Sequence, residues 1–134
     1  MYSFCAISFG KDGKEPLFES NTNIFIDLIK WYPILADDFA NMFLSKFGFN
    51  IGSPENSEYR GSHVSLCHPE SFRINKALID SGIIPDFRAP DSIRIGITPL
   101  YTTYLDIYKT IDRMCDIMEN KLYEKYSFEK GKVT

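Results

Sequence analysis

Apolar and polar residues alternate in three short segments of the chain, and this period of two predicts β-strands. The segments cover residues 61–67, 83–88 and 92–98. A turn-forming sequence at 89–92 separates the last two, so we expect those two strands to pair in an antiparallel hairpin. The polar residues 50–59, which precede the first strand, predict a loop.

Apolar residues spaced three or four apart predict helices before, between and after these strands. The clearest helix begins near Thr103 and runs to about Tyr126, and Asp106 has the spacing from Thr103 that a capping box requires. A second helix is predicted at 69–81, where a proline lies at its start and a glycine follows its end.

The N-terminal part of the chain predicts three further elements. A hairpin is expected within 1–18 because an Asp-Gly pair separates two apolar runs. A helix follows at 20–31, which Pro33 is expected to end or kink. Another helix at 34–47 precedes Gly48, which suits a left-handed C-terminal cap.

Together these elements predict an α+β domain with a small antiparallel or mixed sheet of about three strands and helices packed on one face. At 134 residues the chain is long enough for one hydrophobic core, so two domains are not expected. We assign 1–21 to a separate N-terminal segment, 22–126 to the domain, and 127–134 to a frayed tail.

The strand at 92–98 carries a candidate binding residue. Its three isoleucines share one face, while Arg94 and Gly96 share the other. Because glycine has no side chain to crowd the arginine, the planar guanidinium is free to receive a carboxylate. The pattern therefore indicates an anion site. The alternative is a surface arginine that pairs with a neighbouring acid, Asp86 or Asp91.

Composition excludes several classes of partner. The chain has 18 acidic and 15 basic residues and no basic run, so nucleic acid is not expected to bind. Three widely spaced cysteines favour neither a disulfide framework nor a zinc site, and His63 and His68 lack the spacing of a metal-binding pair. No apolar run approaches the roughly 20 residues that span a bilayer. We expect a cytoplasmic protein without metal or membrane contact.

Other reactive or aromatic side chains are assigned structural roles. Cys67 and Cys115 are expected to be small core residues. Tyr101 is expected to be buried and to position the last helix. The aromatic residues between 25 and 49 follow a helical period, which predicts a core or interface face and not a stacking platform.

Four short motifs resemble the C-terminal part of kynureninase and occur in that family's order. They are RGSHVSL at 60–66, HPE at 68–70, DFRAPD at 86–91 and ITPLY at 97–101. The resemblance extends from about Gly48 to near Tyr126 and fades upstream. Kynureninase is a pyridoxal-phosphate enzyme of the aspartate-aminotransferase-like fold. In that family a large domain carries the Schiff-base lysine, and a small C-terminal domain closes over the substrate.

The resemblance implies an activity and a role for two arginines. Kynureninases hydrolyse kynurenine or 3-hydroxykynurenine to alanine and anthranilate or 3-hydroxyanthranilate, in tryptophan catabolism. By resemblance, Arg94 binds the α-carboxylate of the substrate and Arg88 has a supporting role. None of the ten lysines lies in a matching motif. We therefore expect no catalytic or cofactor-binding residue in this chain, with pyridoxal phosphate only in the complete enzyme.

Several relations to a complete enzyme fit the resemblance. The chain is expected to be an inactive fragment, or a domain that complements a separately encoded large domain. The alternative is a stand-alone module that binds carboxylates or another protein. Because a large domain normally covers part of this surface, we also expect the isolated chain to self-associate.

Overall fold

The computed structural model describes residues 32–128, which form three α-helices and one four-stranded sheet. Helix α1 is described over residues 32–44. The remaining elements, in chain order, are β1 (Asn50–Ile51), β2 (His63–Cys67), α2 (Ser71–Asp80), β3 (Asp86–Arg88), β4 (Ser92–Gly96) and α3 (Tyr104–Glu119). Short 3-10 turns lie at Ser45–Phe47, Ser57–Tyr59 and Leu122–Lys125. The predicted α+β class is confirmed.

All pairs of neighbouring strands in the sheet are antiparallel, in the order β1-β2-β4-β3. Strands β3 and β4 form the predicted hairpin. Strand β1 pairs Asn50 with Cys67 and lies inside the segment that the sequence predicts as a loop. The sheet therefore has one strand more than predicted. The sequence did not indicate β1 because two residues are too few to show an alternation.

One hydrophobic core lies between the sheet and the three helices. Its largest fully buried side chains include Leu44, Leu66, Ile74, Leu78, Ile93, Ile97, Met114 and Ile117. Burial of one such side chain contributes about 1.5 to 3 kcal/mol relative to leaving it in water. The strand side chains that point away from this core are half-buried or exposed. The helices therefore pack on one face of the sheet, as predicted.

The predicted ends of the helices are partly confirmed. Thr103 and Asp106 form the capping box of α3, and Gly48 is left-handed with φ of 88°. Helix α3 ends at Glu119, however, and a left-handed Lys121 leads into the last 3-10 turn. The prediction of a continuous helix to Tyr126 is wrong, because the apolar spacing continues through a turn that has a different hydrogen-bonding pattern.

Some predictions fall outside the described residues. These are the hairpin within 1–18, the helix before Pro33 and the domain boundary at residue 21. Pro33 itself is fully buried in α1. Of the predicted tail, Phe128 packs against the guanidinium of Arg73 at 4.4 Å, and 129–134 lie beyond the described part.

Candidate functional site

The face of the sheet that points away from the core brings Arg94 together with side chains from both neighbouring strands. The strand register pairs Arg94 with Ser65 of β2 and with Asp86 of β3. In the next row along the strands, His63 lies opposite Gly96. Because cross-strand neighbours on one face lie within side-chain reach, this register places a carboxylate directly beside the guanidinium.

Asp86 accepts hydrogen bonds from two arginines through a single oxygen. Its Oδ2 accepts from Nε of Arg94 at 3.2 Å, from Nη2 of Arg94, and from Nε of Arg88 at 2.9 Å. The pairing of Arg94 with a neighbouring acid, named above as the alternative to an anion site, is therefore present. Asp91, the other acid considered, instead uses its backbone carbonyl to bind His68 and Ser71.

The charges in this cluster do not cancel. Two guanidinium groups face one carboxylate, so the cluster of Arg88, Arg94 and Asp86 has a formal charge of +1. The hydrogen bond from Arg94, with a further one from Arg88, lowers the pKa of the Asp86 carboxyl below its usual value. The Asp86 side chain is therefore ionised at neutral pH, and the cluster still attracts one more negative charge.

Arg94 remains accessible despite its ion pair. Its side chain is 34% exposed, and among residues 32–128 its Nη1 has no hydrogen-bond partner. Arg88 is 62% exposed and contacts Asp86. The sequence prediction of a supporting role for Arg88 agrees with this contact but is not tested by it.

Gly96 leaves open space on the same face as Arg94. A Cβ added at Gly96 would meet no atom within 4 Å. A methyl group there would therefore not touch Arg94, and only a longer side chain would crowd it. The glycine therefore leaves open space two positions along β4 from Arg94.

Neither His63 nor His68 belongs to a group of potential metal ligands among the described residues. His68 is buried, its Nδ1 accepts a hydrogen bond from the amide of Glu70, and its Nε2 donates to the carbonyl of Phe47. These contacts give His68 a structural role at the start of α2. Within the part of the chain that the structure describes, no three His, Cys, Asp or Glu side chains are grouped to hold a metal ion.

Tyr101 departs from its predicted position. Its side chain is 78% exposed, so the expectation of a buried tyrosine that positions the last helix is wrong. The turn at 99–101 carries it outward, and the capping box at Thr103 sets the start of α3 instead. Cys67 and Cys115 are half-buried free thiols, and burial raises the pKa of the Cys115 thiol.

Sequence reasoning missed a buried ion pair between Asp37 of α1 and Arg60, which precedes β2. The Arg60 side chain is 5% exposed, and its Nη1 donates to Oδ2 of Asp37. Nε and Nη2 of Arg60 are also buried and have no hydrogen-bond partner in the described chain. The only sequence signal is that Arg60 opens the RGSHVSL motif, which says nothing about its partner 23 residues upstream.

The described lysines do not fit a pyridoxal phosphate site. Lys46, Lys121 and Lys125 are exposed and lie near acidic side chains, while Lys76 lies over a phenylalanine ring. Lys109 is also exposed. No lysine lines the cavity that contains Ile95 and Thr110 or the cavity that contains Asp37 and Glu55. A Schiff-base lysine needs a pocket that holds the cofactor, and none of these five lysines lies in either cavity.

No helix among the described residues has the length and apolar content needed to cross a membrane.

A family model described as the Kynureninase C-terminal domain matches residues 34–114, which is more than half of the chain. The matched region contains β2, β3 and β4 and therefore the whole Arg94 cluster.

The chain is also similar to individual kynureninases. The chain is 47% identical over 87 residues to the kynureninase of Geobacillus thermodenitrificans, and 43% identical over 83 residues to that of Bacillus cereus. It is 39% identical over 77 residues to that of Pseudomonas fluorescens. These alignments cover 65%, 62% and 58% of this chain but 20%, 19% and 18% of the relatives. The match thus spans about a fifth of each relative.

Proposed function

Since the chain belongs to the kynureninase C-terminal domain family, we propose that it acts as the small domain of a kynureninase-type enzyme. In this proposal Arg94 binds the α-carboxylate of kynurenine or 3-hydroxykynurenine, and Arg88 supports the site through Asp86. The complete enzyme hydrolyses the substrate to alanine and anthranilate or 3-hydroxyanthranilate. A large domain supplies the catalytic lysine and the pyridoxal phosphate.

The observation that supports this role most directly is the charge and exposure of the Arg94 cluster. It carries one positive charge in excess, lies on the face of the sheet away from the core, and keeps Nη1 of Arg94 without a partner among the described residues. A substrate carboxylate would neutralise the excess charge. Arginine suits this task better than lysine, because its planar fork holds a carboxylate through two parallel hydrogen bonds.

Bidentate binding also orients the substrate. Two hydrogen bonds fix the plane of the carboxylate, which restricts rotation about its bond to Cα and sets the direction of the bonds that react. Pyridoxal phosphate, when bound to the large domain, supplies the electron sink for cleavage of the β,γ carbon–carbon bond. The contribution of this chain is thus to bind and align the substrate.

The 134 residues are proposed to have no activity alone. The test is to incubate the purified chain with pyridoxal phosphate and kynurenine, and to follow anthranilate fluorescence and the aldimine absorption band. We expect neither signal. Turnover by the isolated chain, or an aldimine band that it forms, would contradict the proposal.

A large domain is the proposed partner, and the exposed turn after β4 is its proposed contact surface. Four large apolar side chains soon after the Arg94 strand are 55% to 78% exposed: Leu100, Tyr101, Tyr104 and Leu105. We call residues 99–105, which comprise the turn and the first residues of α3, the apolar turn. So much apolar surface in one short segment favours burial against a partner. In the relatives, about four fifths of the length lies outside the match, and we propose that this part holds the domain that the turn contacts.

Complementation tests this partner. The chain is mixed with Geobacillus thermodenitrificans kynureninase from which the matching C-terminal fifth has been deleted. We expect kynurenine hydrolysis only in the mixture, and loss of that activity when Leu105→Glu is introduced. Ile84→Glu is the matched control, because Ile84 is 85% exposed but lies outside the apolar turn. Equal inhibition by both substitutions would contradict the proposed surface.

A stand-alone carboxylate-binding module is the second candidate function. It is favoured by the fact that Asp86 and Arg88 already hold the Arg94 cluster together within this chain. Calorimetric titration with kynurenine separates the two candidates, with Arg94→Ala as the control. Binding by the isolated chain that Arg94→Ala abolishes supports a module, whereas no binding supports a domain that needs its partner.

Self-association is proposed for the isolated chain, because the apolar side chains of the apolar turn are largely exposed there. Light scattering at increasing concentration is expected to show dimers or larger species, and Leu105→Glu is expected to reduce them. A monomer at all concentrations would contradict this proposal.

A further inference from the structure

The guanidinium of Arg94 is held along one of its two hydrogen-bonding edges. An arginine side chain presents a side edge, formed by Nε and Nη2, and an end edge, formed by Nη1 and Nη2. Asp86 occupies the side edge, since its Oδ2 accepts from both Nε and Nη2 of Arg94. On the end edge, Nη1 has no partner among residues 32–128. Because Nη2 carries two hydrogens, it can serve both edges at once.

Asp86 is itself fixed from two sides. Backbone pairing places Asp86 opposite Arg94, and the side chain of Arg88 donates to the same oxygen of Asp86 at 2.9 Å. Arg88 therefore holds the carboxylate, and the carboxylate holds Arg94. This chain of contacts lies wholly within the β3–β4 hairpin, so its geometry is set by the strand register and the turn between the strands.

We propose that Asp86 is a positioning residue that grips the side edge of Arg94 and thereby presents the end edge to the carboxylate of the ligand. The inference rests on the proposed function of Arg94. It adds that the ligand does not displace Asp86, because the two carboxylates use different edges of one guanidinium. The excess positive charge of the cluster allows both to bind together.

Such positioning has a physical benefit for binding. An arginine side chain has many rotamers, and ordering it when a ligand arrives weakens the observed affinity. Asp86 orders Arg94 before the ligand binds, so that cost is removed from the binding step. If Asp86 instead occupied the ligand's position on Arg94, it would weaken the affinity for the ligand, since the ligand would first have to displace it.

The grip of Asp86 on Arg94 is tested by NMR on the ¹⁵N-labelled 134-residue chain. The Nε–H signal of Arg94 is assigned by its disappearance in Arg94→Lys. We expect it to be shifted downfield and to exchange slowly with water, because Nε–H donates to a carboxylate. Asp86→Ala removes both properties, while Asp86→Asn retains most of the protection because its amide oxygen still accepts. An Arg94 signal that Asp86→Ala does not change would overturn the grip.

The effect on the ligand is tested in the complemented enzyme described above. Asp86→Ala is expected to raise KM for kynurenine about tenfold, which corresponds to about 1.4 kcal/mol of lost binding, with kcat changed less than about twofold. In the Asp86→Asn variant, KM is expected to stay within about threefold of the original value, because the amide oxygen still accepts from Arg94. Asp112→Ala removes an exposed carboxylate from α3 and serves as the control for net charge, with no expected change.

The outcomes separate the two proposals. If Arg94→Ala raises KM and Asp86→Ala leaves it unchanged, Arg94 binds the ligand but Asp86 does not position it. If Asp86→Ala lowers KM, Asp86 competes with the ligand, and the positioning role is overturned. If Arg94→Ala itself has no effect, the proposed function of Arg94 fails, and the role of Asp86 in ligand binding fails with it.

Discussion

Two arginine–aspartate pairs in this domain have the same chemistry and opposite surroundings. Arg60 and Asp37 join the segment before β2 to α1, and their side chains are 5% and 15% exposed. Arg94 and Asp86 join two neighbouring strands, and theirs are 34% and 52% exposed. The first pair is nearly buried, while the second lies on an open face and keeps Nη1 of Arg94 without a partner among the described residues. Location, and not residue type, separates the structural pair from the candidate binding site.

The two pairs also show why an ion pair is not evidence against function. Asp86 accepts hydrogen bonds from Arg94, but its single negative charge is shared between Arg94 and Arg88. The cluster of the three side chains therefore remains positive. At the buried pair the two formal charges cancel, and no second cation contacts Asp37 among the described residues. An arginine that binds a ligand can therefore have a resident acid, provided that the local charge is left unbalanced.

The largest expected effect is on stability, at the buried pair. Arg60→Ala leaves the Asp37 carboxylate buried without its cation, and we expect a loss of about 3 kcal/mol in the free energy of unfolding. Urea denaturation followed by circular dichroism measures this loss. The double variant Asp37→Leu with Arg60→Met, which replaces both charges with apolar groups, is expected to recover most of the stability. A single Arg60→Ala variant as stable as the original chain would contradict the comparison.

A smaller loss is expected at Arg73, which holds the segment after α3. It donates to the carbonyls of Glu124 and Tyr126 and lies 4.4 Å from the ring of Phe128. Arg73→Ala is expected to cost about 2 kcal/mol, because charged donors to backbone carbonyls are lost together. Arg73→Lys keeps the charge but not the planar fork, so it should recover less than half of the loss. Protease cleavage near Lys125 gives an independent measure of detachment.

Arg94→Ala is expected to leave the urea midpoint nearly unchanged, since exposed ion pairs add little to stability. The same substitution is expected to raise KM for kynurenine in the complemented enzyme by about a hundredfold or more, because it removes a bidentate contact to the carboxylate. If Arg94→Ala destabilised the chain as much as Arg60→Ala, Arg94 would have a structural role like that of Arg60. The contrast between the two pairs would then fail.

The smallest expected effect is on how the stability of the fold depends on pH. The pKa of Asp86 is lowered by Arg94 and Arg88, so the folded state favours its ionised form more than the unfolded chain does. The resulting stabilisation is present above the usual carboxyl pKa of about 4 and is lost as pH falls through the lower folded value. The stability difference between the original chain and Asp86→Asn should therefore shrink below about pH 4. A difference that grows on acidification would contradict this sign.

Much of the fold is local and could be read from the sequence. The capping box of Thr103 and Asp106 depends on residues three apart, and both hydrogen bonds are present. The alternation in β4 places Ile93 in the core and Arg94 on the opposite face. Such features are predictable because one strand or one helical turn contains all the groups involved.

Other features depend on contacts between distant segments. Strand β1 exists because Asn50 and Ile51 meet β2, and nothing in two residues indicates a strand. The same holds for Asp37 and Arg60, whose pairing requires α1 to lie beside the start of β2. For Tyr101, an apolar aromatic residue suggested burial, but the turn carries its side chain outward.

The sequence by itself determined the α+β class, the face on which Arg94 lies and the motifs that resemble kynureninase, because each depends on short-range order along the chain. The tertiary structure alone decided that Asp86 meets the side edge of Arg94, since this contact depends on strand register. It also decided that Arg60 is buried while Arg94 is not. Periodicity specifies which side of an element a residue occupies, whereas packing specifies what it meets there.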